Sequence, residues 1–336
     1  MAGVATTQAT GPAPAPRVSV APPPPPKAQR TPADRVFKGL ATAAGLSTLV
    51  LLGLIFVFLI REAWPALQEA GLKFFTTFEW NLDISPPSFG IGAVLFGTIV
   101  VSLIALVIAV PVSVGTALFI NEYAPKRLDR LLTSLVDLLA AVPSIVYGLW
   151  GLYFLQPRLA GLSRWLTDHL GFIPLFHTSR PVFGFSLFVA GIVLAIMVLP
   201  IITSVSREVF QQTPRHTCEA ALALGGTRWG MIRRVILPFG RSGVVGASML
   251  GLGRAMGETI AAALILGFDY RISSEILSPG GGSVAGLIAL KFPEAGEFER
   301  QGLAAAGLVL FAATLLVNMV ARFVVGRAGT SRRLDS

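Results

Sequence analysis

Residues 91–120 read IGAVLFGTIVVSLIALVIAVPVSVGTALFI, thirty positions without a single charged side chain. A helix rises about 1.5 Å per residue and a bilayer's hydrocarbon core is about 30 Å thick, so roughly twenty such residues suffice to cross it. Five further apolar blocks of similar length lie at Gly39–Ile60, Leu131–Leu155, Phe183–Val205, Ser242–Phe268 and Leu303–Ala321. None alternates with period two, which argues against a transmembrane barrel. The expectation is an all-α, polytopic membrane protein with six transmembrane helices. Pro111, Pro143 and Pro200 fall in or near these spans, where neighbouring groups can satisfy the carbonyls that a proline frees.

Composition agrees with this reading. The 336 residues are 53% hydrophobic and only 13% charged, with a mean hydropathy of +0.71; a soluble domain carries about 25% charged residues. Residues 1–38 form a Pro/Ala-rich segment, with Pro22–Pro26 in one run, too poor in apolar surface to fold and expected to be a disordered cytoplasmic tail. Residues 39–321 form the membrane domain and 322–336 a short C-terminal tail. The net charge of +9 could signal a polyanion partner, but the basic residues sort by side. With six spans, 18 Lys and Arg fall on the side of the termini, 8 on the other and one, Arg254, within a span. The positive-inside rule then places both termini in the cytoplasm and accounts for the charge without nucleic acid.

The longest segment on the terminal side, 206–241, carries six of these positives. Thr213-Pro214 is suited to start a helix, Gly225-Gly226 to end it, and Thr227 to cap a second short helix running to Ile236, before Pro238. Ala220, Ala221, Leu222 and Leu224 would give the first helix an apolar knob. Physics alone leaves two readings open: a docking knob for a cytoplasmic partner, or a helix pair lying on anionic lipid.

The order of residues adds a resemblance. Glu219-Ala220-Ala221, three residues, Gly225, nine residues, then Val235-Ile236-Leu237-Pro238 resembles the EAA loop of ABC importer permease subunits, departing only at Val235 where isoleucine is usual. That resemblance implies that Glu219, Ala220, Ala221, Leu222 and Gly225 couple the membrane helices to an ATPase. The chain itself has no P-loop: none of its five lysines follows a glycine, so no GxxxxGK[ST] cradle exists. ATP and Mg would sit on a partner ATPase, with no cofactor in this chain.

Three ionisable residues lie within spans: Asp137, Arg254 and Glu258. Such residues are expensive in a membrane and are treated as functional by default. Spaced i, i+4, Arg254 and Glu258 are expected on one helix face, either as a self-neutralising pair or as a polar patch on a substrate path. Asp137 could pair with a neighbouring helix or take part in transport. Gly253 and Gly257 make a GxxxG step beside the pair, which lets a partner helix come close. The single Cys218 excludes an internal disulfide, and His169, His177 and His216 have no metal-ligand spacing.

Residues 251–261 (GLGRAMGETIA) and 140–151 (AAVPSIVYGLWG) resemble the phosphate branch of the ABC importer permeases, PstC-type, over roughly 90–326. The resemblance implies inorganic phosphate as substrate and Arg254 and Glu258 as charged positions on its route. It also implies a second homologous permease subunit, an ATPase dimer on the cytoplasmic face and an extracytoplasmic phosphate-binding protein. A permease for sulfate or molybdate, an ion-coupled secondary carrier and a non-transporting scaffold or sensor are the competing readings.

Overall fold

The fold is described from a computed structural model, which defines residues 32–330 apart from Asp83, Ile84, Pro86 and Pro181. The expected disordered tail lies outside the described residues up to position 31, and residues 331–336 lie outside them as well. The chain divides into two units, Met1–Gly53 and Leu54–Ser336. In the first, the described part is helical from Pro32, so residues 32–38, expected in the tail, form helical turns.

Helix α1 spans Pro32–Ala70 and is followed by a short α2, Lys73–Thr76. Strands β1 (Trp80–Asn81) and β2 (Ser88–Phe89) form a two-stranded antiparallel ribbon, with Trp80 opposite Phe89. Helix α3 (Gly92–Leu118) runs into a π-helical turn at Phe119–Tyr123. Next come α4 (Lys126–Ala141), α5 (Ser144–Trp150), a π turn at Gly151–Leu155 and α6 (Gln156–Leu170). Helix α7 (Leu187–Gln211) precedes the short α8 (Arg215–Ala223) and α9 (Arg228–Met231). A third π turn, Ile232–Ile236, leads into α10 (Leu237–Met256), and α11 (Ile260–Ile265), α12 (Val284–Lys291) and α13 (Glu297–Thr330) complete the chain.

Among the described residues, five stretches are long and apolar enough to cross a membrane: Pro32–Ala70, Gly92–Tyr123, Leu187–Gln211, Arg228–Met256 and Glu297–Val320. The sixth is a bent pair, Lys126–Ala141 with Ser144–Leu170, turned by 92°. The sequence led us to expect one span over Leu131–Leu155, and the break has a local cause. Pro143 has no N–H to donate and forces Val142 out of the helical region, to ψ 129. The Tyr147 hydroxyl staples the two sides of the bend by donating to the Leu139 carbonyl at 2.8 Å.

The main core lies where α3 and α7 pack along their length and α10 joins them. Ala105, Ala109, Ala190, Val193, Val198, Ile202 and Ala247 are all buried there. Small residues set the spacing. A Cβ at Gly191 would lie 2.4 Å from Ile104 and one at Gly251 2.7 Å from Ile202, so close approach of these helices depends on glycine. A second cluster gathers Phe74, Trp80, Phe89, Ile91, Leu287 and Leu303 around the ribbon and the start of α13. The Trp80 indole N–H donates to Glu299 Oε1 at 2.9 Å across it.

Candidate functional site

The first candidate region is the segment after α7. Gly225 takes φ +82 and stops α8, as the Gly-Gly pair led us to expect, and the Thr227 hydroxyl accepts the Gly230 N–H at 3.1 Å to cap α9. Two details differ from expectation. Pro214, rather than Thr213, occupies the N-cap position of α8, and its carbonyl accepts from Thr217 and Cys218. The second helix does not stop before Pro238: Arg228–Met256 runs through as one 29-residue stretch. The π turn at Ile232–Ile236 precedes the proline and changes the hydrogen-bond register where its missing donor would interrupt an α-helix.

Helix α8 rests on a small cluster made by Ala117, Phe210, Met231, Ile232 and Ile236, with Cys218 and Ala221 packed against it. Spaced i, i+3, those two residues form the inner face of the helix. Glu219, Ala220 and Leu222 are exposed, and Leu224 is 90% exposed at the tip. The sequence reading missed Cys218 as an anchor, though its spacing from Ala221 carried the signal. Burial pushes the Cys218 thiol pKa up, and Glu122 and Glu219 add to the shift, so this is a packing thiol rather than a nucleophile. The segment is tied to the membrane helices by Arg228, which donates to the Glu122 carbonyl at 3.4 Å, and by Arg207, 3.9 Å from Asp129.

The second region holds the intramembrane charges, and here the helical pairing of Arg254 with Glu258 is corrected. Helix α10 ends at Met256, Gly257 forms a turn, and Glu258 lies outside any helix. The helix ends at Gly257, with φ −87 and ψ 0, and the tighter bond from Glu258 N–H to the Ala255 carbonyl at 3.3 Å replaces the i, i+4 geometry. The expected single span Ser242–Phe268 is therefore broken. Arg254 is exposed, whereas Glu258 is 8% exposed and its Oε1 accepts the Ala261 N–H at 3.1 Å. The carboxylate thus satisfies a free donor at the start of α11, as capping groups do. Asp137 is exposed on α4 and accepts from Ser204 at 3.5 Å.

The two broken spans meet. Helices α5 and α11 pack together, and a Cβ at Gly148 would lie 2.9 Å from the Ala261 Cα. Tyr147, Ala255, Ala261 and Ala262 share one cluster. The two motifs 140–151 and 251–261 are thereby neighbours, although 99 residues separate them in sequence. Non-helical backbone at this depth is tolerated where it is buried in protein or lines a polar cavity.

With this arrangement in view, the comparisons with known proteins are decisive. Residues 109–329 match the family described as binding-protein-dependent transport system inner membrane component. The chain belongs to that family. It is 46% identical over 297 residues to a Mycobacterium tuberculosis protein named phosphate transport system permease protein PstC 2, covering 87% of this chain and 92% of the relative. A Xylella fastidiosa phosphate transport system permease protein PstC is 43% identical over 300 residues, covering 88% and 91%. In structure, the chain is similar to one from a bacterial alginate ABC transporter crystallised with an alginate-bound periplasmic protein. The TM-score is 0.58 at 15% identity, with 90% of this chain and 99% of that one covered, which establishes the shared permease fold. The chain is a multi-pass membrane transport subunit of this family.

Outside the spans, a polar cluster joins two loops of the permease. Glu275 accepts from the Ser179 hydroxyl at 2.6 Å, from the Ser179 N–H at 3.1 Å and from the Ser278 hydroxyl. These hydrogen bonds, with a smaller contribution from His177, hold the Glu275 pKa down at about 2, against an ordinary 4.5. A carboxylate with a lowered pKa stabilises the folded arrangement fully above its unfolded value, and the contribution is lost as pH falls through the folded value. Hydrogen-exchange protection of the Ser179 amide should therefore hold at pH 5 and fall away on acidification towards pH 2. Glu275→Ala should remove that pH-dependent step. A step that survives in the variant would assign it to another group. Among the described residues, no three His, Cys, Asp or Glu side chains gather as a metal site.

Proposed function

We propose that this chain is the permease subunit that carries inorganic phosphate across the cytoplasmic membrane, with both termini in the cytoplasm. The observation behind the choice of substrate is the 46% identity, over 87% of the chain, to a protein named as a phosphate permease. A second homologous permease subunit completes the path, an extracytoplasmic phosphate-binding protein delivers the anion, and an ATPase dimer with ATP and Mg binds the cytoplasmic face. The segment 206–241 is the coupling element: Glu219, Ala220, Leu222 and Leu224 meet the ATPase, Ala221 and Cys218 hold the helix to the membrane domain, and Gly225 sets its end. Movement of α8 passes through the continuous stretch Arg228–Met256 to the breaks at Pro143 and Gly257, where access alternates. Arg254 offers the anion a guanidinium, Glu258 keeps the break in shape, and Asp137 lies on the flank of the path.

The test is ATP-dependent uptake of radiolabelled phosphate by the four-component complex in proteoliposomes. The wild type should import phosphate and be unaffected by excess sulfate or molybdate. Arg254→Gln should lower the rate about tenfold, the loss of one charge-assisted contact worth about 1.4 kcal/mol in the transition state. Import of sulfate or molybdate instead of phosphate would overturn the substrate. Uptake driven by an ion gradient without ATPase would overturn the class.

A further inference from the structure

Helix α4 packs on α7, yet none of its sixteen residues is buried. Successive residues step by about 100° around a helix, and this divides α4 into three arcs. Leu132, Val136 and Ala140 are half-buried on the arc beside α7, together with Asp129 and Thr133. Lys126, Arg127, Arg130 and Ser134 occupy a second arc and are all exposed. Leu131, Leu135, Leu138 and Leu139 make the third, which is exposed as well, Leu138 to 66%.

The helix lies across the end of α7 from which the segment 206–241 departs. Asp129 is 3.9 Å from Arg207, and Asp137 accepts from Ser204 at 3.5 Å. Eight residues of α4 extend about 12 Å, whereas three of α7 extend about 4.5 Å, so the two helices cross steeply. Beyond Pro143 the chain turns by 92° and climbs. A Cβ at Gly151 would lie 2.6 Å from Val193, eleven residues back along α7 from Ser204. A helix that crosses the end of a span with separate polar and apolar arcs is suited to the boundary between headgroups and acyl chains. Phe119 and Tyr123 are exposed just ahead of it, and tyrosine is enriched at that boundary.

Charge indicates the kind of surface. Lys126, Arg127 and Arg130 take part in no ion pair among the described residues, and Asp129 is turned towards Arg207. Asp137 is exposed, but about 10 Å beyond Arg130 along the helix. Three cations beside four exposed leucines match an anionic leaflet, which accepts both arcs at once. Each Lys or Arg held near such a surface favours it about fivefold. A protein partner would have to set carboxylates over one arc and an apolar face over the other, about 120° away.

We propose that α4 docks on anionic phospholipid, with Lys126, Arg127 and Arg130 at the headgroup phosphates and the four leucines among the acyl chains. In the orientation proposed for the chain, this is the cytoplasmic leaflet. The contact does not depend on which anion the permease carries.

The test uses the complete complex in nanodiscs of equal parts phosphatidylglycerol and phosphatidylcholine, each lipid in turn carrying a photoreactive diazirine near the head of its acyl chain. Crosslinks are read residue by residue. The phosphatidylglycerol-to-phosphatidylcholine ratio on residues 126–139 is then compared with that at labelled positions on α1 and α3. It should be higher on α4 by about fivefold or more. Salt at about 1 M, where the Debye length is about 3 Å, should at least halve that enrichment. Substituting all three cations, as Lys126→Gln, Arg127→Gln and Arg130→Gln together, should bring the ratio to the value of the other spans. Arg127→Lys with Arg130→Lys keeps the charges and should retain the enrichment; its loss there would overturn the electrostatic basis. The wild-type ratio and its salt dependence decide even if the triple variant does not assemble. Equal ratios on α4 and on the other spans overturn the proposal, because an apolar face alone shows no preference between the two lipids. Labelling of α1 and α3 with none on α4 means that another subunit covers the helix, and overturns it too. Loss of the ATPase from the triple variant, with the lipid ratio unchanged, assigns the cations to that subunit instead. No transport is read, so the result stands apart from the substrate.

Discussion

Gly225→Val is expected to reduce ATP-driven phosphate uptake by the reconstituted complex to background, while Gly225→Asn keeps most of it. Gly225 holds φ +82, a region that costs an ordinary L-residue roughly 1–2 kcal/mol and a β-branched one more. Asparagine tolerates it, which makes that substitution the control for the backbone conformation alone. The next residue leaves no slack, since a Cβ at Gly226 would lie 2.5 Å from the Ala221 carbonyl oxygen. Valine at 225 therefore has to unwind the end of α8, and the exposed Leu222 and Leu224 lose their placement relative to the anchored Cys218 and Ala221. Under the coupling role proposed for this helix, the ATPase would no longer grip it. The measurements are uptake and co-purification of the ATPase. Full uptake in Gly225→Val would mean that the bend is dispensable and that the connection to the ATPase lies elsewhere.

The same segment shows why sequence reveals some features and hides others. Gly225 and the Thr227 cap are local matters of backbone and side-chain geometry, and both could be read from adjacent residues. Which face of α8 turns inward is not local. It depends on Phe210, Ile232 and Ile236 arriving beneath the helix, and Cys218 became an anchor only then. Charge counting and apolar length were enough to indicate an all-helical membrane protein, because the bilayer constrains each span independently of the others. The interruptions were harder. Pro143 was visible as a proline, but a proline inside a span can kink it slightly or turn it by 92°, depending on what satisfies the freed groups. Here the Tyr147 hydroxyl does so for the Leu139 carbonyl.

Gly257 misled in the opposite direction. A glycine four residues after another suggested a packing step on a continuous helix, and with it an i, i+4 pair of Arg254 and Glu258. The structure ends the helix there, and a Cβ at Gly253 would meet no neighbour within 4 Å. What joined the two motifs was tertiary: Gly148 lets α5 approach Ala261 of α11, a contact no spacing rule anticipates.

Glu258 offers the other large effect, and two substitutions separate its roles. Glu258→Ala should bring uptake to background, whereas Glu258→Gln should retain at least about half. Alanine removes the acceptor for the Ala261 N–H and leaves that buried donor without its partner. Losing a cap costs about 0.5–2 kcal/mol in water-exposed helices, and an unsatisfied backbone group inside a membrane costs several. Helix α11 would loosen, and through the Gly148–Ala261 contact so would α5 and the bend at Pro143. Glutamine keeps an oxygen in the same place and drops only the charge. The comparison therefore reads the carboxylate's geometry against its charge, at fixed position, with recovery of the assembled complex measured beside uptake. If glutamine fails as completely as alanine while the complex still assembles, the negative charge itself is required, and Glu258 belongs on the anion's route rather than at the helix start that it caps.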